Sequence, residues 1–194
     1  MPEISPDSLL TLEAYARERN AFRSRVIAHK QRRKVHLGEH VTLLFEDELT
    51  VRYQVQEMLR IERIFEPDGI RGELEAYNPL VPDGGNWKAT LLIEYPEVEE
   101  RKRRLAALRG IERRVWVRVE GHDRVGAIAD EDLERETEEK TSSVHFLRFE
   151  LDGAMRALLK RGARLAMGVD HAAYRAELDP VPAEIRSALA QDLA

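Results

Sequence analysis

The sequence contains no cysteine among its 194 residues. This absence excludes disulfide bonds, thiolate nucleophiles, iron–sulfur clusters and cysteine-ligated zinc together. The chain also lacks an apolar run of the roughly 20 residues that a membrane-spanning helix needs. Its first residues lack the basic segment and apolar stretch of a signal peptide. We therefore expect a cytoplasmic protein with no membrane partner.

An excess of positive charge is absent as well. The formal net charge is −5, the pI is about 5.8, and the basic runs are interleaved with acidic residues. Nucleic acid is therefore an unfavoured partner. What the chain does contain, 43% hydrophobic and 35% charged residues, is typical of a folded globular protein. With no obvious internal break, the length predicts a single domain over residues 1–194.

The apolar pattern alternates along the chain between helical and extended periodicity. Residues 9–33 predict a long N-terminal helix packed on the body of the domain, and residues 50–65 predict a second amphipathic helix. Residues 87–95 and 142–151 alternate as strands do, and further short strands and helices follow one another. We therefore predict an α+β fold whose mainly antiparallel sheet has about five or six strands, with helices packed on at least one face.

A carboxylate interrupts the apolar face of the second predicted helix. On a helical wheel Glu62 lies near the centre of that stripe, and Glu57 lies at its edge. Burying a charge without a partner costs several kcal/mol, so Glu62 needs a cation, a metal or a proton. A structural ion pair with a core-facing arginine of the first helix and a functional role both satisfy this need. Arg19, Arg23 and Lys30 fall within the apolar stripe of the first helix, where their stems would cover the edge of the core and their charged ends would reach water. Alternatively one of them, Arg23 before the others, points into a polar pocket and contacts an anion.

Polar residues also occur in the predicted strands. His145 lies inside the most strand-like stretch of the chain, residues 142–151, and should be largely buried. It is either a neutral core histidine with both ring nitrogens hydrogen-bonded, or a histidine that contacts a ligand, transfers protons or binds a metal. Lys88 and Glu94 share one face of another strand, and would matter if that face lined a cavity. His171 ends the last apolar strand, a position well suited to a site.

Four segments of the chain carry a resemblance to a known family. They are KTSSVHFLRFEL (140–151), FEDELTVRYQVQEMLRIERIFE (45–66), AYNPLVPDGGNWKATLLIEY (76–95) and GVDHAAY (168–174). Together they resemble a bacterial family of uncharacterised rubrerythrin-associated domains, often encoded beside rubrerythrin and iron–sulfur oxidoreductase proteins. The resemblance spans nearly the whole chain and transfers no catalytic residue. It implies a cytoplasmic bacterial protein linked to peroxide or redox stress through its neighbours.

Two classes of function follow. The first is an enzyme or binding protein with a polar pocket for a small ligand or a divalent metal, since the side chains suit acid–base or oxygen/nitrogen metal chemistry. Its candidate residues are His145, Glu62 and Lys88 for catalysis; Arg23, Glu57, Lys88 and Glu94 for ligand binding; and Glu62, His145 and His171 for a metal. The second is a non-catalytic accessory protein that binds a redox partner, with Glu62 and His145 purely structural. Both classes, and the oligomeric state, stay open at the level of the sequence.

Overall fold

The computed structural model describes residues 3–131, 135, 137 and 139–194. Within these ranges the chain forms six α-helices: α1 (Leu12–Lys30), α2 (Glu48–Glu62), α3 (Pro67–Tyr77), α4 (Val98–Ala107), α5 (Gly153–Lys160) and α6 (Ala183–Ala190). The same ranges form nine strands: β1 (Lys34–Leu37), β2 (Val41–Glu46), β3 (Asn86–Ile93), β4 (Val115–Val119), β5 (Val125–Gly126), β6 (Ile128–Ala129), β7 (Val144–Glu150), β8 (Leu165–His171) and β9 (Tyr174–Leu178). None of the helices described is both long enough and apolar enough to cross a membrane.

The strands divide into two antiparallel sheets. The first has the order β1-β2-β3-β7-β6, and the second has the order β5-β4-β8-β9. In the first sheet, Lys88 of β3 lies opposite Glu46 of β2 on one side and opposite Arg148 of β7 on the other. The predicted α+β class and antiparallel pairing are therefore confirmed, with the strands shared between two sheets. The chain changes sheet at Ala127, which separates β5 from β6 and donates its N–H to the carbonyl of Val115 at 2.9 Å.

The two sheets contribute to one hydrophobic core. Phe45, Trp87 and Phe149 of the first sheet are fully buried in it, together with Val117 and Met167 of the second. Each apolar side chain of this size contributes about 1.5–3 kcal/mol when it is removed from water. This core faces the inner side of the first sheet, so the opposite side of that sheet is left to contact the helices.

α1 and α2 pack against each other on the outer side of the first sheet. α1 buries three residues of its predicted stripe, Tyr15, Phe22 and Val26. α2 buries an apolar row with a spacing of four residues, Val51, Val55 and Leu59. The N-terminal helix is shorter than the predicted span of residues 9–33, because Thr11 caps it by accepting the N–H of Ala14 at 3.2 Å.

The local sequence sets both ends of α2. Asp47 accepts the N–H of Thr50 at 3.0 Å through its carboxylate, and the hydroxyl oxygen of Thr50 accepts the N–H of Asp47 at 3.0 Å. This reciprocal capping box satisfies donors that a helix start leaves unpaired. Arg63 ends the helix in the left-handed region, with φ of 55°. The helix therefore stops at Glu62 rather than at residue 65, and Phe65 is 68% exposed.

A buried ion pair joins the end of α1 to the C-terminal segment. Arg33 is 2% exposed and Asp192 is 8% exposed. Both terminal nitrogens of Arg33 donate to the carboxylate of Asp192, with Nη1 at 3.2 Å, while Nε and Nη2 donate to the carbonyls of Phe45 and Glu46 at 2.9 and 3.1 Å. Burial raises the pKa of the Asp192 carboxyl, and the contact with Arg33 opposes that shift. The pair fixes the end of β2, where the first pocket residue described below lies.

Candidate functional site

A small pocket lies between the outer face of the first sheet and α2. Its volume is about 260 Å³, slightly below the range of about 300–1,000 Å³ that is typical of ligand pockets. One wall is apolar and consists of Leu44, Val51, Leu80, Leu92, Val144 and Phe146. The remaining lining is polar and consists of Lys30, Glu46, Thr50, Gln54, Tyr77 and Thr90. The pocket therefore combines an apolar surface with a polar end.

Glu46 is the acidic group of this polar end. One oxygen of its carboxylate accepts the hydroxyl of Thr50 at 2.5 Å, and the other accepts the hydroxyl of Thr90 at 2.6 Å. The capping box of α2 holds Thr50 in place, and the strand pairing of β2 with β3 holds Thr90. Each carboxylate oxygen can accept about two hydrogen bonds, so one acceptor site on each oxygen is left. Among the described residues no cation lies within 4 Å of this carboxylate.

Lys88 lies beside the polar end, on the same face of β3 as Thr90 and opposite Glu46 on β2. It is half-buried, and burial, followed by the charge of Arg148, lowers the pKa of its ammonium group. Arg148 itself donates to both oxygens of Glu131 at 2.7 and 2.6 Å. Lys88 has no ion pair within 4 Å in the part of the chain that the structure describes. An amine in this environment loses its proton more readily than an exposed lysine does.

His145 has a structural environment. Its ring is fully buried, with Nδ1 at 2.6 Å from a carboxylate oxygen of Asp130 and Nε2 at 2.9 Å from the hydroxyl of Thr141. Since a carboxylate only accepts, Nδ1 carries a hydrogen and donates it to Asp130. The second carboxylate oxygen of Asp130 accepts the N–H of Phe146 at 3.0 Å. Both ring nitrogens thus have partners, as the core interpretation of this histidine requires.

The ion pair predicted between the first helix and α2 is formed by a different carboxylate. Glu57, not Glu62, pairs with an arginine of α1: Arg19 donates to both of its oxygens, at 2.7 and 2.9 Å. The hydroxyl of Tyr15 donates to the same carboxylate at 2.7 Å. Arg19 lowers the pKa of Glu57 to about 2, and burial followed by the bond to Glu57 raises the pKa of Tyr15. Glu62 and Arg23 are both exposed, so the expectation that they occupy a buried polar site is wrong.

His145 and Glu62 do not share a site. His145 points toward the core side of the first sheet with Leu147, whereas α2, which carries Glu62 in its last turn, packs on the opposite side. Glu94 is on the same face of the sheet as Lys88, but six residues of extended chain separate them by about 20 Å. The predicted residues therefore do not converge on one pocket, and only Lys88 adjoins the pocket described here.

His171 is also held by its neighbours. Its Nε2 donates to the carbonyl of Arg109 at 3.0 Å, and its Nδ1 accepts the N–H of Ala173 at 3.1 Å. A metal needs a free nitrogen lone pair, and neither ring nitrogen offers one. Among residues 3–131 and 139–194, no group of three or more histidine and acidic side chains is placed to hold a metal ion.

The sequence did not lead us to predict a site that contains Glu46, Thr50 and Thr90. The run over residues 41–45 is so apolar that it predicts a strand buried on both faces, and the pairing that joins Glu46 to β3 is not visible in it. A signal was nevertheless present. Glu46 continues the alternation of Thr42 and Leu44, which makes it the last residue of the same face of β2.

Comparisons with known proteins show which family and which solved structure the chain is similar to. A family described as "Protein of unknown function (DUF3501)" matches residues 3–193. A crystal structure of a novel protein of unknown function from Burkholderia pseudomallei is 57% identical, with all of both chains covered and a TM-score of 0.94. A search of curated proteins gave no significant match. The predicted association with rubrerythrin is not shown by these matches and stays a prediction.

Proposed function

The chain belongs to the DUF3501 family, and from the geometry of its pocket we propose that it binds a small amphipathic molecule carrying a protonated amine. The observation that carries this proposal is the carboxylate of Glu46. It is half-buried, it lines the cavity, and the described residues supply it with two hydroxyl donors but no cation. A carboxylate removed from water without a counter-charge is costly, and an ammonium group on a ligand would remove that cost.

The apolar wall supports the other half of the proposal. Leu92, Val144 and Phe146 present a continuous hydrophobic surface on neighbouring strands, and Val51 and Leu80 face it from the helical side. A ligand with a hydrocarbon or aromatic body would bury that body here, at about 25 cal/mol for each Å² removed from water. The cavity volume restricts the ligand to a molecule smaller than a typical drug.

Two lysines narrow the class of ligand further. Lys30 lines the same cavity, with its ammonium 5.9 Å from the ring centre of Tyr53. A ligand that carries a carboxylate as well as an amine would therefore satisfy both charges of the polar lining. Lys88, our candidate for catalysis, lies beside this pocket and opposite Glu46, and burial lowers the pKa of its ammonium group.

The alternatives have less support. A divalent metal prefers several oxygen ligands, whereas Glu46 is the only carboxylate in the described lining of the pocket. The role of an accessory partner in a redox system has no specific contact in its favour and remains a prediction from the family resemblance.

Ligand screening by NMR tests the proposal. We would titrate the ¹⁵N-labelled full chain with matched small molecules that share one apolar group and carry an amine, a carboxylate, or both. We expect the amine-bearing compounds to shift the backbone amides of Thr50 and Thr90. Glu46→Gln should abolish these shifts, and Glu48→Gln, which alters an acidic residue outside the pocket, should retain them. Equal binding of the acids and the amines, or shifts that map elsewhere, would contradict the proposal.

A further inference from the structure

A second concave surface, separate from the pocket of Glu46, lies where the turn after α4 meets the β8–β9 hairpin. It is an open groove of about 730 Å³. The turn contributes Arg109, the short 3₁₀ helix that follows it (Ile111–Arg114) contributes Arg113 and Arg114, and the hairpin contributes Asp170 and Arg175. Four arginines in one groove are a strong local concentration of positive charge in a chain whose net charge is −5.

The two walls of this groove are fixed to each other. His171 is in the hairpin and donates from Nε2 to the carbonyl of Arg109 in the turn, at 3.0 Å. The same ring accepts the N–H of Ala173, at 3.1 Å, so its orientation is set. Groups that are held in place before a ligand arrives lose less entropy when it binds. The arginines are therefore attached to a preorganised backbone.

The described acidic residues near the groove do not pair with all of its arginines. Asp170 is shared between Arg175 at 3.1 Å and Arg124 at 3.8 Å. Glu112 is 2% exposed, and its nearest cation is Arg113 at 3.5 Å. Arg114 forms no ion pair within 4 Å in the described part of the chain. Arg113 and Arg175 therefore each contact a carboxylate, whereas Arg114 is open to an anion.

We propose that this groove binds a compact polyphosphate, either free pyrophosphate or the phosphate chain of a nucleotide. The planar guanidinium group donates two parallel hydrogen bonds to phosphate oxygens, and arginine is the usual residue for this recognition. The volume is that of a small-molecule site. The only ring in the described lining is the imidazole of His171, which is held in place by the carbonyl of Arg109 and the N–H of Ala173, so we expect the phosphates rather than the base to dominate recognition. A polymeric nucleic acid would need a longer basic track than one groove.

Isothermal titration calorimetry of the full chain with sodium pyrophosphate tests this inference. The variants are Arg114→Gln and Arg175→Gln, and the matched control is Arg103→Gln, an exposed arginine of α4 outside the groove. Each groove variant is expected to weaken binding about ten-fold, because each removes charge-assisted hydrogen bonds. The control should stay within about two-fold. Circular dichroism and thermal unfolding of every variant would verify that the fold is intact.

Further titrations distinguish the sources of the phosphate and the competing class of ligand. Orthophosphate should bind more weakly than pyrophosphate, and a nucleoside triphosphate should bind about as well as tripolyphosphate if the base is not recognised. High salt should weaken all of them, since the contacts are ionic. Absence of pyrophosphate binding, equal losses in Arg103→Gln and the groove variants, or tighter binding of a single-stranded oligonucleotide than of pyrophosphate would each overturn the proposal.

Discussion

The buried pair of Arg33 and Asp192 provides the sharpest prediction about stability. Replacing Arg33 by methionine keeps a long side chain but removes the charge and every donor. The Asp192 carboxylate, 8% exposed, would then have lost the cation that contacts both of its oxygens. The carbonyls of Phe45 and Glu46 would lose their donors at 2.9 and 3.1 Å. Both carbonyls lie at the end of β2, and Glu46 also lines the pocket. The missing hydrogen bonds should therefore disturb the pocket as well.

The magnitude follows from these contacts. Removing one partner of a buried ion pair costs about 3–5 kcal/mol, because the other charge is left uncompensated. Methionine restores part of the packing, so we expect a loss of about 4 kcal/mol in the free energy of unfolding. For a chain of this length that corresponds to a fall in Tm of about 8–16 °C.

Urea unfolding followed by far-UV circular dichroism measures this loss. Arg32→Met, the exposed neighbouring arginine, is the matched control and should change stability by less than about 0.5 kcal/mol. The double variant Arg33→Met/Asp192→Leu should be more stable than Arg33→Met alone, since the unpaired charge of Asp192 is removed. Asp47, which also loses Arg33 at 3.4 Å, keeps His29 at 2.5 Å in both variants. A loss of less than about 1 kcal/mol in Arg33→Met would refute the reasoning.

Three further predictions concern other contacts. Arg19 lowers the pKa of Glu57 from 4.5 to about 2, so this carboxylate stabilises the fold fully above pH 4.5 and progressively less as the pH falls toward 2. Glu57→Gln should therefore lower the free energy of unfolding by about 1–3 kcal/mol at neutral pH. It should also flatten the acid limb of the curve of stability against pH, and an unchanged limb would refute this. Gly168→Ala should destabilise by more than about 2 kcal/mol in urea unfolding, because a Cβ there would overlap the ring of Trp116; a near-neutral effect would contradict the packing. His145→Ala should lower the free energy of unfolding by about 2–4 kcal/mol, and with it the Tm. It should not alter the metal content measured by elemental analysis, whereas loss of a stoichiometric metal would support the metal interpretation.

The sequence was sufficient for most elements of the fold because their patterns are local. The alternation over residues 87–95 predicts β3 (Asn86–Ile93) closely, and the amphipathic pattern over residues 50–65 predicts most of α2 (Glu48–Glu62). The division into two sheets was not predictable in the same way. It depends on Ala127, where the chain leaves one sheet for the other, and on pairings between strands far apart in sequence.

The error over Glu62 has a specific physical cause. Glu62 lies near the centre of the apolar stripe only if that stripe extends over the whole predicted helix, residues 50–65. Ile61 and Phe65, at the end of that span, are instead 56% and 68% exposed. The buried row consists of Val51, Val55 and Leu59, and the helix ends soon after it. The expectation that an arginine of the first helix pairs with a carboxylate of the second was nevertheless correct in kind, with Arg19 and Glu57 as the pair.

The pocket depends on contacts that no local pattern contains. Glu46 meets Thr50 four residues along the chain and Thr90 across a strand pairing, and the second contact requires the register of β2 with β3. His145 shows the opposite case. Its burial followed from the strand alternation, but the partner of its Nδ1, Asp130, precedes it by fifteen residues in an irregular segment.

The most direct test of the proposed function is the affinity of the best amine ligand for three proteins, measured by isothermal titration calorimetry. These are the natural chain, Glu46→Gln and the control Glu48→Gln. Replacing a carboxylate by an amide removes a charge-assisted hydrogen bond to the ligand, so Glu46→Gln should weaken binding about ten-fold or more. Glu48→Gln should leave the Kd within about two-fold. If the two variants bind the amine equally well, Glu46 does not recognise the ligand, and the proposed function is wrong.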